Sequence, residues 1–265
     1  MVYPVDGRNH KQGIKNEINL IQMLNNKIKH DISDPIIKTL TENHNSKIVS
    51  FEHIGGTKQK ADILCKFENG ESVSLSVKNH KTKTSTFDWL NTTQCGIPDE
   101  LKTAILCYKQ KYYKTELPKN IRVELDNLIH SYINKITNEV IISLFKNFID
   151  SYKEENVRYL IINDCRHKQY VLMPISFVIN ICTNHNFILK SSNRKASKSR
   201  MIWIKNNNGT ENNTRIRLRL GLNNGVKALL GMSKKNKSSV VCFKLQQEHV
   251  DDFINKCDDK VISKY

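Results

Sequence analysis

Between positions 60 and 81 two alternating runs meet across a tight turn. The first reads Lys-Ala-Asp-Ile-Leu-Cys-Lys-Phe, the turn is Glu68-Asn69-Gly70-Glu71, and the second reads Ser-Val-Ser-Leu-Ser-Val-Lys-Asn-His-Lys. Asn-Gly between such runs is a strong β-hairpin signal, because both residues tolerate the positive φ that the favoured turns demand. Successive side chains of a strand point to opposite faces, so Asp62 and Leu64 share one face, and Ser74, Ser76 and Lys78 share one on the returning strand. That parity can bring Asp62 close to Lys78. An aspartate and a lysine converging on a hairpin, with a further acid to complete the set, suit metal-dependent phosphodiester hydrolysis: carboxylates for Mg²⁺ and an ammonium beside the attacking water. The same pair also suits a surface salt bridge on a plain ribbon.

Charge narrows the choice of partner. The 265 residues carry a formal charge of +16 and a pI near 9.5, an excess that favours a polyanion, either nucleic acid or an anionic membrane surface. No run approaches the ~20 apolar residues of a spanning helix, and Met-Val-Tyr-Pro-Val-Asp-Gly lacks the basic-then-apolar order of a signal peptide. Membrane is therefore the weaker choice, and nucleic acid the stronger. The 7 cysteines are odd in number, scattered and without a Cys-x-x-Cys pair, so they read as reduced, core-filling thiols of a cytoplasmic protein with no zinc-site spacing.

Residues 1–12 read as a loose basic arm. Ile14, Ile18, Ile21 and Leu24 recur at helical spacing, with Glu17 on the border of that stripe. Asp34-Pro35 opens a second helix, residues 47–54 form a first strand, and Gly55-Gly56-Thr57-Lys58 leads into the hairpin. Ser85-x-x-Asp88 resembles a helix start, Pro98 opens a helical stretch to about residue 114, and helical periodicity runs through 121–153. Residues 157–163 then make a buried strand. Helix, three strands, helices, strand is the order of an α/β core.

The last third mixes short elements: strands at 169–173, 187–190, 201–205, 214–220 and 240–245, with helices at 174–182, 223–230 and 247–257. Thr214 to Leu220 alternates strictly, placing Arg215, Arg217 and Arg219 on one face and Ile216, Leu218 and Leu220 on the other. Three like charges about 7 Å apart repel unless an anion meets them. Arg194, Lys195, Lys198 and Arg200 add a basic loop, and Asn223-Asn224 supplies amides of the kind that read adenine, as arginine reads guanine. With Lys58, Lys60, Asn79, Lys81 and Lys83 beside the hairpin, these are the candidate DNA-binding residues.

Asp62 on the second strand and Ser76-Val77-Lys78 on the third, after a helix bearing Glu17, resemble the PD-(D/E)xK nuclease superfamily, and within it type II restriction endonucleases. The resemblance spans about residues 10–165. It implies a restriction-endonuclease-like core (αβββαβ, a central mixed sheet flanked by helices) over 1–165 and a C-terminal α+β extension over 166–265 that recognises DNA sequence and could be integrated into one domain. Glu17 matches the family's helical glutamate, Asp62 its aspartate and Lys78 its lysine, while Ala61 stands where the pattern has proline. Ser76 occupies the place of Glu, Asp or Gln. Some restriction enzymes of this fold also read Ser-Val-Lys and recruit an acid from a helix; Glu17 is the first candidate here, with Asp88 and Glu100 behind it. The resemblance further implies Mg²⁺ held by Glu17, Asp62 and the Val77 carbonyl, catalysis by Glu17, Asp62, Ser76 and Lys78, 5′-phosphate products and a symmetric homodimer. A structure-selective nuclease of the same fold and a catalytically dead DNA-binding protein stay open beside it.

Overall fold

The computed structural model describes residues 8–30, 33–55, 60–80, 86–91, 137–183, 186–191, 199–220, 241–246 and 249–265, with isolated positions between 107 and 131. In chain order the elements are α1 (Arg8–His30), α2 (Pro35–His44), β1 (Ile48–His53), β2 (Ile63–Phe67), β3 (Ser72–His80) and β4 (Thr86–Asn91). There follow α3 (Asn138–Glu154), β5 (Val157–Asp164), β6 (Gln169–Pro174), α4 (Ile175–Cys182) and β7 (Asn186–Ser191). Last come β8 (Ser199–Lys205), β9 (Glu211–Leu220), β10 (Val241–Gln246), α5 (Val250–Asn255) and β11 (Val261–Lys264).

The fold is mixed α/β, in two interleaved units. One comprises residues 1–85, 150–180 and 250–265; the other comprises 86–149 and 181–249. This division is not the contiguous 1–165 and 166–265 expected from the sequence, because β6 and β11 complete the sheet that the hairpin begins. That sheet runs β1-β2-β3-β5-β6-β11. All its pairings are antiparallel except β3 with β5.

In the first unit the sheet sorts its side chains by parity. Ile63, Cys65, Val73, Leu75, Val77, Tyr159, Ile161 and Leu172 face a core built with Leu20 and Leu24 of α1 and Ile36 and Leu40 of α2. The intervening positions, among them Leu64, Ser76, Lys78, Leu160 and Ile162, take the opposite face. Strand β5 is buried along nearly its whole length, as expected for a strand covered on both sides. The hairpin has the register Ile63↔Leu75 and Leu64↔Ser74, with Gly70 at φ +85° in the turn and the Asn69 side chain accepting from Glu71 N–H.

Helix α1 begins at Arg8, so part of the expected arm is helical. Its buried stripe is Leu20, Ile21 and Leu24, while Ile18 is 40% exposed. Positions 17, 20, 21 and 24 lie on one helical face, so Glu17 heads the buried stripe instead of bordering it. Asn25 pairs with the Phe51 backbone, donating to its carbonyl at 2.9 Å and accepting its N–H at 2.8 Å. Edge strand β1 thereby loses two groups that could template another strand. Helix α2 is capped by Asp34, which accepts from Ile36 and Ile37 N–H, has Pro35 in its first turn, and ends on Asn45 at φ 46°.

The second unit holds an antiparallel sheet in the order β4-β10-β9-β8-β7. Ser85-x-x-Asp88, expected to start a helix, instead leads into strand β4, where Thr86, Phe87 and Trp89 are good strand formers. The strict alternation expected over 214–220 is broken: Arg215 has φ 63°, and the register slips between Met201↔Arg217 and Trp203↔Asn213. Thr214 Oγ donates to the Ile202 carbonyl at 2.6 Å and accepts from Ile216 N–H at 3.1 Å, closing a bulge around Arg215. Arg215 thus leaves the series that Arg217 and Arg219 continue. The helices expected at 98–114 and 223–230 fall outside the described residues, as does most of 121–136. No helix among the described residues is long and apolar enough to cross a membrane.

Candidate active site

Asp62 sits one residue before β2, with its backbone clamped from two sides. Its N–H donates to the Leu75 carbonyl at 2.9 Å, and its carbonyl accepts from Ile54 and Gly55 N–H, each at 3.1 Å. The carboxylate is thereby held against β3. Its Oδ2 accepts Val77 N–H at 2.6 Å and Ser76 Oγ at 3.2 Å. Lys78 Nζ lies 3.8 Å from the same oxygen and donates to Ser76 Oγ at 3.0 Å and to the Val77 carbonyl at 3.2 Å. The side chains of Lys78 and Asp62 are 20% and 16% exposed, buried enough to be fixed and open enough to meet a substrate.

Ser76 is fully buried, and its hydroxyl is committed three times. It donates to Asp62, accepts from Lys78, and shares a hydrogen bond with the Tyr152 hydroxyl on α3. A serine offers one donor and two acceptor sites, so Ser76 is saturated as a bridge and has nothing left for a metal. Burial pushes the Tyr152 hydroxyl above its ordinary pKa, with Lys78 and the Ser76 bond pulling the other way.

Glu17 approaches from α1. Its Oε2 is 2.9 Å from His53 Nε2. Gly55 leaves room for the approach, since a β-carbon there would lie a tight 3.2 Å from Glu17 Oε2 and 3.3 Å from Asp62 Cα. Among the described residues no hydrogen bond reaches Asp62 Oδ1 or Glu17 Oε1. Of the rival acids, Asp88 is on β4 with its side chain outside the description, and Glu100 is outside it altogether; Glu71 lies in the hairpin turn beside His44.

Two further residues of the site have no signal in the hairpin sequence. Glu155 Oε2 accepts Lys60 N–H at 2.6 Å and Ala61 N–H at 2.7 Å, fixing the backbone that presents Asp62. Tyr152 and Glu155 lie at and just beyond the end of α3, about 90 residues from Asp62, and no spacing rule links them to it.

The same sheet face continues into a second cluster. His80 and Asp164 are paired across β3 and β5, and with Asp251 of α5 they bring ligand atoms within 4.8 Å of one another, an arrangement that could hold a metal ion. Asp164 would be raised by burial, but the hydrogen bond and charge of His167, with His80 and Gln169, hold it below the ordinary carboxylate value. At the other end of these strands a groove of about 590 Å³ is lined by Asn43, His44, Glu71, Arg158 and Tyr159. It is remote from Lys78 along β3 and contributes nothing to the Asp62 site.

Of the candidate DNA-binding residues, Lys60 and Asn79 are half-buried in the first unit, and Asn79 accepts from Asn163 Nδ2 at 3.1 Å. Arg200, Arg215, Arg217 and Arg219 belong to the second unit, with the side chains of Arg217 and Arg219 outside the description. Lys58, Lys81, Lys83, Arg194, Lys195, Lys198, Asn223 and Asn224 lie outside the described residues. Cys65, Cys182 and Cys257 are buried thiols, whereas Cys107 and Cys165 are exposed.

No protein family and no curated protein matches the chain. Among solved structures there are 2 matching chains. One is restriction endonuclease MspI in complex with its cognate DNA, at 18% identity over 63% of this chain and 74% of that chain, with a TM-score of 0.27. A likeness of that size carries no argument about activity, which has to come from the residues themselves.

Proposed function

We propose that this chain is a Mg²⁺-dependent DNA endonuclease of the PD-(D/E)xK kind, a type II restriction enzyme that cleaves double-stranded DNA at a specific sequence. One observation supports the reading above the rest: Asp62 and Lys78 meet at 3.8 Å on adjoining strands, joined through a saturated Ser76. An ordinary surface ion pair would have no need of that buried bridge. The net charge of +16 fits a polyanionic substrate.

The donors pass a test of what their hydrogen bonds leave over. Among the described residues Asp62 and Glu17 each keep one carboxylate oxygen, and with the Val77 carbonyl, which also accepts from Lys78, they would offer an all-oxygen set. Mg²⁺ takes such a set, filling its other positions with water and phosphate. Glu17, Asp62 and Val77 would hold the ion, which supplies Lewis acidity and lowers the pKa of a coordinated water. Lys78, held by Ser76 and Val77, orients the attacking water and offsets charge building on the phosphorane. Glu155 and Tyr152 act one step back, by fixing Asp62 and Ser76. Cleavage of both strands at a palindromic site would follow from a symmetric homodimer.

The neutral Ser76 favours a second reading, a DNA-binding protein that no longer cuts. Incubation with plasmid and phage DNA, with Mg²⁺ and with EDTA, separates the two. Discrete EDTA-sensitive fragments support the restriction enzyme, and smearing indicates a nonspecific or structure-selective nuclease. Binding without cutting supports the silent core.

If Glu17 supplies the acid that Ser76 lacks, Glu17→Gln should slow cleavage by about 10²-fold while Asp88→Asn leaves the rate near that of the parent. The reverse outcome places the acid on β4. Single Arg→Ala changes at 215, 217 and 219 should sort the second unit's arginines. A base contact costs about 1–3 kcal/mol and relaxes specificity at one position, whereas a phosphate contact weakens all sequences alike and lowers the salt slope by about one. Three variants that bind and cut like the parent would move sequence reading elsewhere.

A further inference from the structure

We infer that His80, Asp164 and Asp251 form a second cation site, selective for a transition-metal dication of the Zn²⁺ kind and distinct from the Asp62 site. His80 is 0% exposed, yet among the described residues neither ring nitrogen has a hydrogen-bond partner. A buried imidazole in that state is rare unless something absent from the chain satisfies it. Its Nδ1 lies 3.5 Å from Asp164 Oδ1, long for a hydrogen bond. Ligand atoms about 2.0–2.1 Å from a tetrahedral zinc stand about 3.3 Å apart, so the spacing suits two ligands of one ion. The third ligand atom, from Asp251, is within 4.8 Å of both.

The surroundings orient these ligands as outer-shell groups do in metal sites. Asp164 Oδ2 is fixed by His167 Nδ1 at 2.5 Å and Gln169 Nε2 at 3.2 Å, and Arg166 N–H donates to Oδ1 at 3.2 Å. Arg166 Nη1 holds Asp251 Oδ2 at 3.0 Å, which fixes the carboxylate that belongs to the cluster. A neutral imidazole and two carboxylates match a dication in charge. The nitrogen donor selects against Mg²⁺ and Ca²⁺, which prefer oxygen alone, and towards zinc. Three protein ligands leave a position for water, and the ion would tie the ends of β3 and β5 to α5.

The test uses the full chain, stripped with a chelator and returned to Zn²⁺. One zinc per chain by elemental analysis, a raised melting temperature, and retention of zinc in millimolar Mg²⁺ are expected. Asp251→Asn, a change at a partly exposed side chain, should weaken zinc binding at least about 100-fold, since outer-shell partners alone are worth about 10–100-fold. Asp62→Ala should keep its zinc. Because Asp251→Asn could disturb α5, imidazole NMR of the parent chain gives an independent readout: zinc should shift one histidine ring, the one missing in His80→Gln. No stoichiometric uptake, uptake unchanged in Asp251→Asn, loss in Asp62→Ala, displacement by Mg²⁺, or a shifted ring that persists in His80→Gln would each overturn the inference.

Discussion

Lys78→Ala should lower Mg²⁺-dependent cleavage of plasmid DNA by at least about 10²-fold while leaving DNA binding largely intact. The ammonium sits 3.8 Å from Asp62 Oδ2 and is one positive charge among 42 lysines and arginines, so its loss should be felt in the chemistry more than in docking. Asp62→Ala should be as severe, but it also orphans Val77 N–H and the Ser76 hydroxyl, both bonded to Oδ2. Asp62→Asn separates the two effects, because an amide oxygen can still accept from Val77 while the charge is gone. Gel shift on the DNA that the parent cuts, beside a timed cleavage assay, reads both quantities. Full activity in Lys78→Ala or Asp62→Asn would remove this site from the reaction.

Asp34→Ala should destabilise the first unit by about 3 kcal/mol, near the lower end of the range for breaking one side of a buried pair. Asp34 is 3% exposed and serves three elements at once. It caps α2 through Ile36 and Ile37 N–H, pairs with Lys27 of α1, and accepts from Ser263 Oγ of β11 at 2.6 Å. Loss of the cap alone costs about 1 kcal/mol. Asp34→Asn should retain the cap and lose the ion pair, falling between parent and alanine in urea titration. Burial would raise this carboxyl, but the bonds from Lys27 and Ser263 more than offset it, so its pKa lies below the ordinary 3.8. A depressed folded-state pKa gives stability that is fully present above the unfolded value and is lost as pH falls through the folded one. The difference between parent and Asp34→Asn should therefore shrink only below about pH 4. A difference that is constant from pH 7 to pH 2 would assign the effect to packing.

The hairpin was legible because its signals are local: Asn-Gly marks the turn, and period-two alternation fixes which residues share a face. Asp62 and Lys78 follow from those two rules. What lay beyond them depended on distant chain. Helix α1 presents Glu17 on its buried stripe because Leu20, not Ile18, faces the core, a rotation that evenly spaced isoleucines conceal. Glu155 and Tyr152 reach the site from α3, and β11 is too short to stand out by pattern. In β9 the alternation of arginine and apolar residues marks a strand, but a bulge at Arg215 cannot be seen in periodicity alone. Ser76 looked like a missing ligand; its partners make it a bridge, a role set by Lys78 and Tyr152 together.

The bond between Ser263 and Asp34 joins residues 229 apart in sequence, and that separation is also an interval of time. At about 5–20 residues per second, a ribosome needs roughly 10–50 s between making the two. For that interval Asp34 and Lys27 wait for their third partner, and β6, once made, keeps an open edge until β11 pairs with it. The acid and lysine of the hairpin are therefore made long before the last strand of their sheet, and the first unit can close only after the whole second unit has been synthesised.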